Sequence, residues 1–293
     1  MKLGEAVALL RHYDLDVSGI RRFADGINNR SFHVASRAGP QFVLTELLLH
    51  DEETASALAD TIDHMRSYGI LVGEVVADQS GRRIVSGPRW PCLLTRFLQG
   101  TIVSRAAARP VAKMAETLFA VHRVPPAAHF AAGARRLPPN WADLLGGHDC
   151  PDLRRAIADV AEFAAELDQA GDAVTIHGDA FCDNLVLRPD GRLGVLDWEY
   201  AGRDARLLDL AVAASGLLAV NGGDWAEVEE LMAEYGRVAD SRLEADQVAR
   251  AVRYALVLLA FHRFVRNTIL LPDTARTSSY RATLVLLESV PAR

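Results

Sequence analysis

Apolar and polar positions alternate in short runs along the first hundred residues. In SFHVA (31–35), Phe32 and Val34 stand against Ser31 and His33, and the alternation resumes in QFVLTEL (41–47) after the Gly39-Pro40 break. A period of two turns every second side chain to one face, so the two runs predict an antiparallel hairpin with one buried face. Two further strands are expected over VGEVVAD (72–78) and WPCLLTRFL (90–98), with a Ser80-Gly81 turn and another short strand between them. Over 51–68 the period changes: Leu58, Ile62 and Met65 share one face of a predicted helix, with Asp51 placed to cap its start and Gly69 just past its end.

Beyond Gly100 the spacing becomes helical. Val111, Met114, Ala115 and Leu118 recur behind Pro110, and Leu153, Ile157, Val160, Ala164 and Leu167 step by four and three until Gly171. More helices are expected at 206–220, at 224–235 with Asp224 and Glu227 spaced as a capping box, at 243–270 before Pro272, and at 276–290. The stretch 174–198 breaks this run. It reads as strand AVTI, the octapeptide HGDAFCDN (177–184), strand LVLR, a Pro189-Asp190-Gly191 turn, and strand RLGVLDW. The turn predicts a hairpin that folds the chain back on itself.

With 293 residues the chain exceeds the usual size of one domain, so two lobes with a cleft are expected. The expected fold class is α+β and bilobal, with residues 1–98 as a lobe around an antiparallel sheet and residues 99–293 as a mainly helical lobe. A composition 50% hydrophobic and 24% charged describes a globular chain and excludes long disorder. The net charge of -6 leaves no basic footprint, so no nucleic-acid partner is expected. Cys92, Cys150 and Cys182 are far apart, which suggests neither a disulfide framework nor a zinc knuckle and fits a cytoplasmic location. The longest apolar run, 254–261, is too short for a bilayer, so no membrane association is expected. Lys2 and Lys113 are the only lysines, and the other basic residues are arginine.

The hairpin brings Asn184, at one mouth, close to Asp197, at the end of its second strand, with Asp179 on the loop before it. Asn184 and Asp197 supply a neutral and an anionic oxygen, a set that suits magnesium, which keeps its other positions for water and phosphates. Asp179 remains off the metal, able to orient a hydroxyl and accept its proton. Phosphoryl transfer requires this division: cations over phosphate oxygens and one carboxylate at the nucleophile.

H-G-D-x-x-x-x-N (His177, Gly178, Asp179, Asn184), then L-D-W-E-Y-A-G (196–202) and L-D-L-A (208–211), resembles the signature of the aminoglycoside phosphotransferase and choline kinase superfamily. The resemblance implies a protein-kinase-like fold and an ATP- or GTP-dependent kinase acting with Mg2+ on a small hydroxylated substrate. It implies Asp179 as catalytic base, Asn184 and Asp197 as magnesium ligands, and Asp209 as a buried brace. DGINNRSFHV (25–34) occupies the place of the phosphate-covering loop, pointing to Asn28, Asn29, Arg30 and Ser31. TRFLQG (95–100) looks like the strand and hinge that receive adenine, pointing to Arg96, Phe97 and Leu98. The nucleotide is expected in the cleft, under residues 28–31.

One departure is chemical. Kinases of this type place a lysine on the third strand, where FVLTEL has Thr45. Arg30, Arg82 and Arg83 are candidates to supply the charge, although a guanidinium is a planar fork and not a point charge. FVLT-type strands, an asparagine-bearing loop and Phe181 resemble the homoserine-kinase branch, whereas DWEYAG is closer to choline and thiamine kinases. An amino alcohol resembling homoserine or choline, or a hydroxyl of an antibiotic or nucleoside as in a resistance enzyme, is the expected acceptor. His262, Arg263 and Arg266 lie on a late helix where substrates bind in this family, either as a recognition set for a carboxylate or phosphate or as a solvated face. Asp183 and Glu199 read equally as surface charges or substrate contacts. His177 reads as a structural histidine, Cys182 as a filler or an exposed reactive thiol, Glu53 as the helix glutamate that normally meets the lysine or, with no lysine, as a solvated first-turn residue, and Trp198 and Tyr200 as packing. A catalytically weak nucleotide-binding protein is the alternative suggested by the absent lysine, and a metal-dependent hydrolase built on His177, Asp179 and Asp197 is a third. A monomer or homodimer is expected.

Overall fold

The alternating runs of the first hundred residues form a five-stranded antiparallel sheet of order β1-β2-β3-β5-β4. Its strands are β1 (Val17–Arg22), β2 (Arg30–Ser36), β3 (Gln41–Glu46), β4 (Ile84–Ser86) and β5 (Pro91–Arg96). The computed structural model describes residues 1–23, 29–133, 135–169 and 173–292. Contacts divide the chain into two units, 1–101 with 188–199 and 102–187 with 200–293.

In the first unit, β2 and β3 pair with Phe32 opposite Leu44 and Val34 opposite Phe42, so the apolar positions line up on one face. That face is covered by α1 (Leu3–Leu10), whose Ala6, Leu9 and Leu10 join Phe32, Val34, Phe42, Leu44 and Leu94 in one core. The sequence pattern does not announce α1, because three buried positions in eight residues are too few to establish a period. The other face of the hairpin carries Ser31, His33, Gln41 and Thr45, all partly exposed.

Helix α2 (Glu52–Ser67) forms as its pattern predicts. Asp51 Oδ1 accepts from the Thr54 amide at 2.8 Å, Ala55, Leu58, Ala59, Ile62 and Met65 are buried, and Gly69 takes a left-handed φ of 84° just beyond the end. The strand expected over 72–78 does not form. Only Val75 bridges to Thr95, with Val76 N–H bonded to the Leu94 carbonyl and Arg96 N–H to the Glu74 carbonyl. The free edge of β5 is too short for a ladder, because β4 already pairs with residues 91–93. The Pro189-Asp190-Gly191 turn closes as predicted through Arg188 N–H to the Arg192 carbonyl at 3.0 Å, and the strand Leu193–Val195 is tied down by Val195 N–H to the Leu71 carbonyl.

The second unit is mainly helical: α3 (Val111–His122), α4 (Trp141–Leu144), α5 (Pro151–Gln169), α6 (Arg206–Asn221), α7 (Ala226–Ala239), α8 (Ala245–Phe264) and α9 (Ser279–Val285). Helix α8 runs on as a π-helical turn, Val265–Leu270. Helix α6 is buried from Leu208 to Leu218 on every side, which explains a sequence apolar there except for Asp209, Ser215 and Gly216. Leu153 and Ile157 of α5 meet Val257, Phe261 and Phe264 of α8 and Tyr280 of α9 in a second core.

The expected capping box at Asp224 and Glu227 is not formed. Glu227 is drawn away by Arg109, whose Nε and Nη2 both bond it at 2.6–2.9 Å, while Asp224 Oδ1 accepts from the Ala226 amide. A strand missed by its polar sequence, Gly202–Ala205, pairs antiparallel with Ala173–Ile176. Among the described residues, no helix is long and apolar enough to cross a membrane.

All three cysteines are buried. Burial pushes the Cys92 and Cys182 thiols up to about 12, so Cys182 is a filler of the core and not an exposed nucleophile. Native protein at pH 8 should therefore react with iodoacetamide at least ~100-fold more slowly at Cys92 and Cys182 than urea-unfolded protein does. Peptide mass mapping checks this, and equal labelling of Cys182 in both states would contradict it.

Candidate active site

HGDAFCDN leaves the strand Ala173–Ile176 and enters a buried corner of the second unit, where His177 is fully buried. Gly178 has a φ of 77°, and a Cβ there would stand 2.3 Å from the Tyr200 carbonyl, so both conformation and space demand glycine. Asp209, in the first turn of α6, holds this corner. Its Oδ1 accepts from the Gly178 amide at 2.7 Å and its Oδ2 from the His177 amide at 3.0 Å. Oδ2 also lies 3.1 Å from His122 Nε2, and His122 Nδ1 lies 2.7 Å from the Tyr235 hydroxyl. Burial alone would raise the Asp209 carboxyl, but His122 and the His177 amide outweigh it and hold the group below its ordinary range. His177 Nδ1 in turn accepts from the Asp179 amide at 3.1 Å, so its ring is part of the backbone scaffold, as read from the sequence.

The loop held in this way presents Asp179, which is 6% exposed. Asn184 Nδ2 donates to the Asp179 carbonyl at 2.8 Å and to Oδ2 at 3.2 Å. The amide nitrogen of Asn184 is therefore committed to Asp179, and its Oδ1 is the atom left for a ligand. A short 3-10 turn, Cys182–Asn184, sets this spacing, with Phe181 packed over Gly216, where a Cβ would stand 2.7 Å from the ring. The second oxygen of Asp179 has a partner that the sequence gives no sign of: Arg135 Nη2 donates to Oδ1 at 2.8 Å. Arg135 is buried and its guanidinium lies 3.9 Å over the Tyr200 ring. It sits in GARRLPPN, an aperiodic stretch in which a charged pair reads as loop surface.

Asp183, in the same octapeptide, is exposed and bonded to Ser104. His262 is near Tyr200, with ring centroids 6.0 Å apart, and burial followed by the Arg135 charge pushes its imidazole well below the ordinary range. Arg263 Nη1 donates to Thr283 at 2.6 Å, and Arg266 lies one turn later in the π-helical segment.

The first unit holds the remaining expected residues. Asp197 is partly buried and adopts a left-handed φ of 57°, a conformation uncommon outside glycine and most tolerated by Asn and Asp. Glu199 is bonded to Asn29 Nδ2 and lies 3.6 Å from His50 Nε2, while Asn29 Oδ1 accepts from the Leu48 amide. Asn28 falls outside the described residues. Ser31 and Thr45 face each other across β2 and β3 with their hydroxyls 3.2 Å apart. The three arginines considered as replacements for lysine are each engaged by acids: Arg30 by Glu46, Arg82 by Asp78, and Arg83 by Asp60 and Asp63. Glu53 is exposed. Arg96 is paired with Glu74, the Phe97 amide donates to the Gln41 carbonyl at 2.9 Å, and the Leu98 side chain is close to Gly194. Among the described residues, no group of three or more His, Cys, Asp and Glu side chains is gathered to hold a metal ion.

Comparison with known proteins gives the wider setting. The model of the "Phosphotransferase enzyme family" matches residues 19–252. A homoserine kinase of Caulobacter sp. (strain K31) is 29% identical over 223 residues, covering 71% of this chain and 68% of the relative. The crystal structure of a spectinomycin phosphotransferase in complex with ADP and spectinomycin superposes with a TM-score of 0.74 at 11% identity, covering 99% of this chain and 98% of that one. A choline kinase from Streptococcus pneumoniae superposes with a TM-score of 0.70 at 15% identity and 98% coverage of both chains. The likeness to solved structures establishes a kinase-like α+β fold, as the sequence motifs imply.

Removing the Asp209 carboxylate strands two buried amides and His122, so Asp209→Ala should cost about 3–5 kcal/mol in urea unfolding. Asp183→Ala, at the exposed end of the same octapeptide, should change stability by no more than about 0.5 kcal/mol. Equal unfolding midpoints for the two variants would show that Asp209 does not hold the loop.

Proposed function

The chain belongs to the phosphotransferase enzyme family, as a small-molecule kinase, and from that premise we propose that it moves the γ-phosphate of a nucleoside triphosphate to a hydroxyl of a small acceptor, with Asp179 as the base. The observation that carries the assignment is the setting of Asp179: a nearly buried carboxylate on a loop fixed by Asp209, His177 and Asn184. A carboxylate fixed in this way loses little freedom when a hydroxyl binds, so orientation contributes directly to the rate.

In this reading Asp179 accepts the acceptor's proton as its oxygen bonds to phosphorus and the bond to the nucleoside diphosphate breaks. Asn184 Oδ1 and the Asp197 carboxylate are the residues that would hold a divalent cation, for which Mg2+ is the natural choice with oxygen donors. When bound, that cation supplies charge over the phosphate oxygens. Residues 1–98 make up the nucleotide lobe and 99–293 the lobe of catalysis and substrate. Asn29, Arg30 and Ser31 border the phosphates, Thr45 stands where lysine is usual, and Arg96, Phe97 and Leu98 receive the base of ATP or GTP. With Arg30, Arg82 and Arg83 bound to acids, neutral donors such as the Ser31 and Thr45 hydroxyls replace the usual cation at the phosphates.

The acceptor belongs with the hydroxylated amino compounds named for the relatives, such as a homoserine- or choline-like amino alcohol, or with antibiotic and nucleoside hydroxyls. Nucleoside diphosphate release, measured with a panel of these acceptors and both nucleotides, tests the reading. Turnover with at least one acceptor is expected, and none above background would favour a nucleotide-binding protein of little catalytic power. Asp179→Asn should lower turnover by about 10²-fold to 10⁴-fold through loss of the proton acceptor. Nucleotide affinity, measured by calorimetry, should stay largely unchanged. Full activity in Asp179→Asn would remove Asp179 as the base.

A further inference from the structure

Arg135 makes less use of its guanidinium than burial requires. Only Nη2 is bonded to Asp179, while Nε and Nη1 are buried without a hydrogen-bond partner among the described residues. A guanidinium present only to neutralise Asp179 would bond both carboxylate oxygens in a fork. Here the second oxygen goes to Asn184. His262 Nε2 is a third buried atom without a partner, and its ring neighbours the same Tyr200 over which Arg135 is stacked. Buried polar atoms are paired in the great majority of cases, and each one left unpaired costs about 1–3 kcal/mol. Two orphans on the guanidinium and a third on the imidazole near Tyr200 therefore point to a ligand group that pairs with part of this set.

The flanks of Arg135 are held firmly. On one side, Gly133 N–H bonds the Arg203 carbonyl at 3.1 Å. On the other, Arg136 forks onto Asp204, and Leu137 N–H bonds the Tyr254 hydroxyl at 3.1 Å. A cation held in this way is pre-organised for a partner, not left over from packing.

We propose that Arg135, assisted by His262, recognises a carboxylate on the acceptor and thereby places the acceptor's hydroxyl at Asp179. Three chemical facts select the class. Arg135 offers donors only, so the partner is an acceptor of hydrogen bonds. Asp179 takes only one of its donors, and a planar carboxylate matches the planar, permanently charged guanidinium that is left. Because the same guanidinium touches Asp179, the acceptor's carboxylate and its reacting hydroxyl are separated by only a few bonds. The acceptor is a compact hydroxy acid or hydroxy amino acid, while a quaternary amine or polyamine acceptor is repelled by the charge. This inference rests on the kinase reading with Asp179 at the acceptor hydroxyl.

The test compares binding and transfer for short hydroxy acids and hydroxy amino acids, including L-homoserine, each paired with its own carboxamide. Calorimetry in the presence of a non-hydrolysable nucleotide reads binding without turnover. At least one carboxylate should bind about 10-fold to 100-fold more tightly than its amide, the weight of a hydrogen bond to a charged group. Arg135→Gln should erase that preference by weakening the carboxylate alone, and Arg135→Lys should retain part of it, with the folded state of both variants checked by near-ultraviolet circular dichroism. In transfer assays the preference should appear in KM more than in kcat. Equal binding of every pair, a preference that survives Arg135→Gln, or no binding by any carboxylate overturns the proposal and leaves an ordered water as the partner. A carboxylate preference without phosphate transfer would instead overturn the kinase reading and keep the anion site. Transfer to neutral acceptors with no carboxylate preference would do the reverse.

Discussion

The pair of amide hydrogen bonds that Asp209 accepts from His177 and Gly178 is the constraint on which the candidate site depends. A buried carboxylate is costly on its own, and it persists here because two amides and an imidazole surround it. Its effect passes along the backbone. The His177 peptide is fixed by Asp209, the His177 ring fixes the Asp179 amide, and the Asp179 carbonyl fixes Asn184. Each proposed catalytic group is thus set by the one before it, starting from a residue that touches no substrate in the proposed mechanism.

Much of this was legible from residue types and spacing. The octapeptide and the Pro189-Asp190-Gly191 turn are local patterns, and each has a local physical reason to take the shape it does, whereas the brace at Asp209, about thirty residues further on, is implied only by the family resemblance. Strand alternation in SFHVA and QFVLTEL and the Asp51 cap are equally local. What escaped was decided by partners distant in the chain. Glu227 is spaced to cap its own helix, but Arg109 competes for it. The run at 72–78 reads as a strand, but most of the edge it needed is already taken by β4. Arg135 carries no periodic signal because its partners, Asp179 and Tyr200, belong to other segments.

The near absence of lysine gives the first unit an unusual distribution of charge. Arg30, Arg82, Arg83 and Arg96 are each matched by an acid, so these positive charges are spent on holding strands and helices together. Under the proposed function, this shifts the work of binding triphosphate onto hydroxyls, amides and the divalent ion. A guanidinium fork matches carboxylate geometry better than a lysine ammonium does, which suits arginine to this structural duty.

Gly178 links two stretches that are read separately in the sequence. Its missing Cβ is the space filled by the Tyr200 carbonyl, so HGDAFCDN and the DWEYAG run meet at a point that admits no side chain. Neither stretch is therefore a portable module. Transplanting this loop onto another scaffold means carrying the Tyr200 backbone with it, and recombination with a breakpoint between them joins halves whose surfaces were never fitted to each other.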